Sequence, residues 1–416
     1  MSLLPSFAIF RHQGYRHFLI ARVLIAGERQ MAAVAIGWQM YDLARETRSV
    51  EQAAFMLGLV GLAQFTPVLL FSLIGGQAAD RANRKHILVI ANIVRIIILG
   101  GLFAACFAPT AIAIPSIFVA AAAMGGVNAF TPAAANSLYP TLVPRDELPQ
   151  AIAWNSLGFQ SAAIIGPAIG GFLYLGGPET VYAVAAAVSL VAVVNFWIVQ
   201  APAHAPNKAA RSLKMIFEGL RFVRDNKIVL GAISLDLVVV FFGGVTALLP
   251  VFARDVLHVG TEGLGLMRAA PAMGAIIVAY LLARRGLARR VGVWMLGAIA
   301  IYGFAMLGFA ASKLFWLSCV MLAITGAADM ISMYVRQSVI QLSTPDGLRG
   351  RVTSVSFIFV AASNELGEFE SGVAARFLGP VGAVLLGGCV SIACAALWVL
   401  PFPKLAKADR FEGERQ

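Results

Sequence analysis

Uninterrupted apolar runs of about 20 residues recur from end to end of this chain, each long enough to cross a hydrocarbon layer roughly 30 Å thick at 1.5 Å of helix rise per residue. Only a helix satisfies its backbone hydrogen bonds within such a run. The runs therefore predict an all-α polytopic membrane protein. Twelve spans are read, at about 16–42, 53–79, 86–108, 114–142, 149–175, 180–200, 228–254, 261–284, 290–311, 314–343, 349–377 and 381–402. Composition agrees: 59% of the 416 residues are hydrophobic and 13% charged, and the mean hydropathy of +0.81 lies far above that of ordinary soluble domains.

The net charge of +11 raises nucleic acid as a partner. The Lys and Arg residues, however, gather in the N-terminus, the even-numbered connections and the C-terminus instead of on one continuous face, so no nucleic acid is expected. By the positive-inside rule both termini are cytoplasmic. The opening "MSLLPSFAIFRHQGYRHF" mixes an apolar patch with Arg11 and Arg16 and lacks a small-residue cleavage site, and reads as an interfacial lead-in. Cys106, Cys319, Cys389 and Cys394 lie in or beside apolar spans without a CxxC pair. His12, His17, His86, His204 and His258 fall near helix ends or in loops. Neither a metal site nor a cofactor is expected. With no nucleophile beside a base and no phosphate-binding P-loop, the chain does not read as an enzyme.

The longest connection, 201–227, opens with Pro, Ala and Lys and closes on an amphipathic helix carrying Leu213, Ile216, Phe217, Leu220 and Phe222 against basic positions. It divides the chain into an N-terminal six-helix bundle, 1–200, and a C-terminal six-helix bundle, 228–402, with a cytoplasmic tail at 403–416. An internal repeat supports the division. Residues 144–172 laid over 345–373 without a gap match Pro144 to Pro345, Gly166 to Gly367 and Gly171 to Gly372. Repeated helical halves about a midplane site are a common construction of secondary transporters.

The connection after the second span reads "GGQAADRANRKHIL", in which a glycine permits close helix approach and Arg81, Arg84 and Lys85 hold the turn at the cytoplasmic surface. Here the chain resembles the major facilitator superfamily, whose loop signature is G-x-x-x-D-R-x-G-R-K. Gly76, Asp80, Arg81, Arg84 and Lys85 match it, and Asn83 replaces the second glycine, a mild departure because Asn tolerates a left-handed turn. The fifth span's "SAAIIGPAIGGFLY" is similar to the family's G-P-x-x-G-G motif, found mostly in exporters of the antiporter kind. Gly166, Pro167, Gly170 and Gly171 carry that match: a small-residue surface with a proline that lets the helix bend. The fourth span lacks the arginine that many drug:proton antiporters carry. With "GWQMYDL" at 37–43, "GLRFVRDNK" in the linker and "SNELGEFESG" at 363–372, the chain looks most like the branch holding the enterobactin exporter and macrolide efflux proteins.

Charge at membrane depth costs about 3 kcal/mol per residue on insertion scales, so each such side chain is a candidate for function. Glu28, Ala32, Ala35, Gln39 and Asp42 form one stripe of the first span, with Arg22 and Arg29 on another. Glu28 is expected to face a cavity, the alternative being a structural ion pair. On the tenth span Thr325, Asp329, Ser332 and Arg336 share a face, and Arg336 is a candidate counter-ion for a carboxylate on the eleventh. Asp236, Arg95 and Arg268 are further intramembrane charges, the last two read as structural. On the eleventh span Ala361, Glu365, Glu368, Gly372 and Arg376 fall on one side and Glu370 points nearly opposite. Glu365 and Glu368 either exchange a proton or lock helices together by hydrogen bonds.

The resemblance implies a secondary active transporter working by alternating access, a monomer in a bacterial-type inner membrane, with a small-molecule substrate and protons as partners. Proton-coupled export of a siderophore, drug or similar amphipathic compound is the leading expectation; uptake of a nutrient or translocation of a lysophospholipid is the alternative. It also implies that the loop with Asp80 and Arg81 latches a cytoplasmic gate near Arg349 and Arg351.

Overall fold

A computed structural model describes residues 7–200, 213–285 and 291–403. The opening six residues, 201–212 of the linker, the basic loop at 286–290 and the tail from 404 lie outside the described residues. Apart from short turns, the described chain is helical, with no strand in it. Its α-helices are α1 Gln13–Arg45, α2 Val50–Arg81, α3 Arg84–Ala105, α4 Thr110–Leu138, α5 Leu148–Leu173, α6 Pro178–Ile198, α7 Leu213–Asp225, α8 Lys227–Phe242, α9 Val245–Val251, α10 Thr261–Arg285, α11 Val291–Ala311, α12 Phe315–Ser343 and α13 Asp346–Leu397.

Ten described helical stretches are long and apolar enough to cross a membrane. The twelve expected passes are consistent with this, for two local reasons. Helix α1 has the length, 33 residues, but its polar stripe lowers its hydropathy. Helix α13 holds two passes, because Gly379 takes φ 73° and Pro380 follows it, breaking the ladder into arms at 346–378 and 380–397. The seventh expected span departs in the other direction. It is interrupted at Gly243 and Gly244, then resumes as α9 and a wide π-type turn, Phe252–Val256.

Helix starts are written in local chemistry. Ser49 and Gln52 form a reciprocal capping box at the start of α2, each side chain accepting the other's backbone N–H at 3.3 Å. Asn226 Oδ1 accepts from Ile228 and Val229 at the start of α8. Asn83 caps α3 through Lys85 N–H with φ −67° and ψ 113°, so it is extended and not left-handed as its place in the loop signature suggested.

The contacts divide the chain into two compact units. The first comprises Met1–Thr47, Ala63–Ala210 and Gly260–Ala269, the second Arg48–Leu62, Arg211–Val259 and Ala270–Gln416. In the first, α1 packs on α5 and α6, and α3 on α4 and α6. Its core joins Phe18, Leu88, Leu138 and Phe196. In the second, α8 and α11 pack on α13, α11 on α12, and the amphipathic α7 lies along α13. There Leu235, Met295, Ile340 and Val352 form the core. Large apolar side chains stay exposed on outer faces, Val119 and Trp316 among them, as lipid-facing surfaces require.

Candidate functional site

The break between α8 and α9 opens the wall of a cavity of about 190 Å³ inside the second unit. A Cβ on Gly244 would collide with the carbonyl of Gly367, and one on Gly243 with the hydroxyl of Tyr302, so no side chain fills this corner. Helices α8, α12 and α13 supply its carboxylates: Asp236, Asp329 and Glu368 all line it. Three residues from the predicted set thus converge, although they are distant in sequence.

Their surroundings differ. Asp236 is buried and ion-paired with the buried Arg336, so its charge is offset within the protein. This corrects the expected partner of Arg336: its carboxylate comes from α8 and not from the eleventh span. Asp329 is exposed to the cavity and has no ion-pair or hydrogen-bond partner among the described residues. Ser332, one turn away and 4% exposed, also lines the cavity, and its buried Oγ has no hydrogen-bond partner among the described residues. Thr325 also lines the wall, so the predicted face of the tenth span is the cavity face. Glu365 is half-buried and does not line the cavity; Glu368, its neighbour one turn on, does. Glu370 is half-buried with no partner among the described residues. No group of three or more His, Cys, Asp or Glu among the described residues is arranged to hold a metal.

Two other predicted residues lie elsewhere, in the first unit. Glu28 is wholly buried and accepts from Arg95 at 3.1 Å, and Arg95 reaches on to Asn128 at 2.9 Å. The expectation of a cavity-facing Glu28 gives way to its alternative, a structural pair joining α1, α3 and α4. Gln39 is likewise buried, accepting from the Tyr182 hydroxyl at 2.7 Å and donating to Cys106 Sγ at 3.5 Å, and ties α1 to α6. Arg29 of α1 is exposed, and its guanidinium lies 5.9 Å from the Phe159 ring. Replacing Glu28 by glutamine is expected to lower thermal stability by about 3–5 kcal/mol, because the buried Arg95 is left without its counter-charge. The pH profile of transport should stay unchanged; a shifted profile would return Glu28 to a coupling role.

Residues 4–414 match the family described as transmembrane secretion effector. The chain belongs to this family of major facilitator transporters. It is 26% identical over 380 residues to the enterobactin exporter EntS of Citrobacter koseri, covering 90% of this chain and 86% of the exporter. The EntS proteins of Shigella boydii serotype 18 and Escherichia coli O139:H28 are 27% identical over the same lengths. Among solved structures, a D-xylose-proton symporter superposes with a TM-score of 0.73 at 13% identity, covering 95% of this chain and 99% of the symporter. A bacterial homologue of the iron transporter ferroportin gives 0.69 at 16%, covering 96% and 100%. At such identities the structural likenesses show the fold alone.

In this transporter the signature loop is built differently from its sequence reading. Gly76 has open space where a Cβ would stand, whereas a Cβ on Gly75 would collide with the Ala129 carbonyl of α4. The close-approach glycine is therefore Gly75. Arg84 donates to the carbonyls of Ala79 and Ser137, at 3.3 and 3.1 Å, and locks the turn to α4. Lys85 lies over the Trp197 ring at 5.8 Å, and Arg81 is exposed. The side chain of Asp80 lies outside the described residues. Arg351, expected near the gate, pairs with Glu218 of α7.

The predicted repeat is realised in matching contacts. A Cβ on Gly166 would stand 2.9 Å from Gly27 O on α1, and one on Gly367 would stand 2.7 Å from Val240 O on α8. Gly171 meets Thr261 and Gly265 of α10 within the first unit; Gly372 meets Gly58 of α2 within the second. Gly170 packs on Met31, and α5 continues as a helix through Pro167. Sequence reading missed Tyr302, Asn364 and the pair Gly243–Gly244. Only the glycines left a signal, two adjacent helix breakers inside an apolar run.

Proposed function

We propose that this multi-pass membrane transporter exports an amphipathic small molecule of the siderophore or drug type, driven by protons moving inward. The reading rests on near full-length similarity to enterobactin exporters. The carboxylate-lined cavity of the second unit gives it a chemical basis, because a site at membrane depth that holds unneutralised charge can trade a proton for substrate.

In this scheme a monomer sits in a bacterial-type inner membrane with both termini cytoplasmic. The halves 1–200 and 228–402 alternate access, tethered by 201–227. The loop Gly76, Asp80, Arg81, Arg84 and Lys85 gates the inner face, and Gly166, Pro167, Gly170 and Gly171 give α5 its give during the movement. Glu368, at the cavity, and Glu365 beside it are the proton-sensitive pair, with Asp329 the accessible carboxylate across the cavity.

Everted vesicles carrying the transporter and energised with ATP are expected to accumulate enterobactin or an amphipathic dye, and to lose it when nigericin collapses ΔpH. The double replacement Glu365→Gln, Glu368→Gln should slow the ΔpH-driven rate by about tenfold or more, the scale of losing ~1.4 kcal/mol of differential protonation energy. Accumulation by right-side-out vesicles only would favour uptake; a double variant as fast as wild type would remove the pair from coupling.

A further inference from the structure

Several of the hydrogen-bond donors in the polar wall of the second unit's cavity are already committed within the protein. The Tyr302 hydroxyl lines it but donates to Gly243 O at 3.0 Å, and the Thr325 hydroxyl donates to Leu322 O at 2.7 Å. Asn364 uses its amide N–H on Val360 O at 3.0 Å. Each of these groups has committed a hydrogen to a backbone carbonyl, which leaves lone pairs on the Tyr302 and Thr325 oxygens, while Asn364 keeps its carbonyl oxygen and one N–H and Thr246 adds a hydroxyl.

Charge points the same way. Arg336 neutralises Asp236, leaving Asp329 as a carboxylate with no partner among the described residues, in a wall that also carries Glu368. Arg336 itself is not part of the lining. One turn from Asp329, Ser332 also lines the cavity and its buried Oγ is unpartnered among the described residues, a hydroxyl that costs free energy until a ligand or water reaches it. A volume of about 190 Å³ is room enough for an ammonium group and a short alkyl stem.

An anion would meet two carboxylates and few donors here, and a neutral amide would leave Asp329 uncompensated. We propose that this cavity is a subsite for a protonated amine carried by the transported molecule. The ammonium pairs with Asp329 and donates to Ser332 Oγ, and the Tyr302 and Asn364 oxygens accept from its remaining hydrogens or from a bridging water. The substrate class thereby narrows to amphipathic compounds bearing a primary or secondary amine. For its place in a transport cycle the assignment rests on the export reading, but equilibrium binding tests it without transport.

The test uses the full chain purified in detergent, with dansylcadaverine as the amine probe and its N-acetyl derivative as the neutral twin. Wild type should bind the amine at least about tenfold more tightly, as expected for hydrogen bonds to a charged group. Asp329→Asn should erase the preference and Asp329→Glu should retain it. Ser332→Ala, which removes only a hydroxyl and serves if Asp329→Asn does not fold, should weaken amine binding about threefold and leave the acetylated probe unaffected. Chloride salts at equal ionic strength separate the ligand sources: ammonium should displace the probe, sodium and potassium should not. Equal affinity for the two probes, an unchanged preference in both Asp329→Asn and Ser332→Ala, or displacement by sodium or potassium as effective as by ammonium would overturn the assignment. Failure in these measurements would leave the vesicle result standing, and failure of export would leave the binding result standing.

Discussion

Arg336→Gln is expected to lower the thermal stability of the second unit by about 3–5 kcal/mol, the usual cost of leaving one member of a buried ion pair without its partner. Asp236 and Arg336 are 3% and 4% exposed, so water from the adjoining cavity replaces the lost guanidinium only in part. The double replacement Asp236→Asn, Arg336→Gln removes both charges and should recover most of the loss, since a neutral pair of similar shape has no uncompensated charge to bury. In a thiol-reactive dye melt, which the free cysteines at 319, 389 and 394 permit, the single variant should fall by roughly 10 °C and the double by much less. The same variant has a functional reading. With Arg336 gone, Asp236 adds its uncompensated charge to the cavity wall, so amine binding should strengthen in whatever fraction stays folded. If the single and double variants melt together, the pair contributes no net electrostatic stabilisation and the offset of Asp236 must come from elsewhere.

That pair also shows what could be read in the sequence and what could not. Helical type and span positions were legible because a segment in lipid must satisfy its backbone internally, a constraint that leaves its mark in every run. The face of α12 was legible too, since a 100° step per residue fixes which side chains share a side, and Thr325, Asp329 and Ser332 do share the cavity; on α13, Glu368 lines it and Glu365 does not. A helical wheel says nothing of which neighbour meets that face. So Glu28 was placed toward a cavity when Arg95, 67 residues on, buries it, and Arg336 was matched to the wrong helix. The break at Gly379–Pro380 announces itself as two strong helix breakers together. The break at Gly243–Gly244 was lost inside hydrophobicity, and with it the corner of the cavity.

The repeat carries the second large expectation: Gly171→Val and Gly372→Val should impair transport to a similar degree, although the residues are 201 positions apart and lie in different units. At Gly372 an added Cβ would stand 2.7 Å from Gly58 Cα, and at Gly171 it would collide with the Thr261 carbonyl and stand 3.0 Å from Gly265 Cα. Both neighbours are backbone, which cannot rotate aside as a side chain can. Each substitution therefore costs about 3 kcal/mol, at the upper end for overpacking, and a state that needs the close approach becomes about a hundredfold rarer at 1.4 kcal/mol per decade. Vesicle transport per unit of folded protein should drop accordingly, while Gly100→Val, where a Cβ meets open space, should leave the rate within about twofold. Alanine should be milder than valine at both sites, because one methyl can be absorbed by a small shift between helices. A large loss at one glycine with none at the other would break the equivalence of the repeats. Two losses of like size would mark the α5–α10 and α2–α13 crossings as paired parts of one mechanism, since nothing but the shared backbone approach makes these two glycines alike.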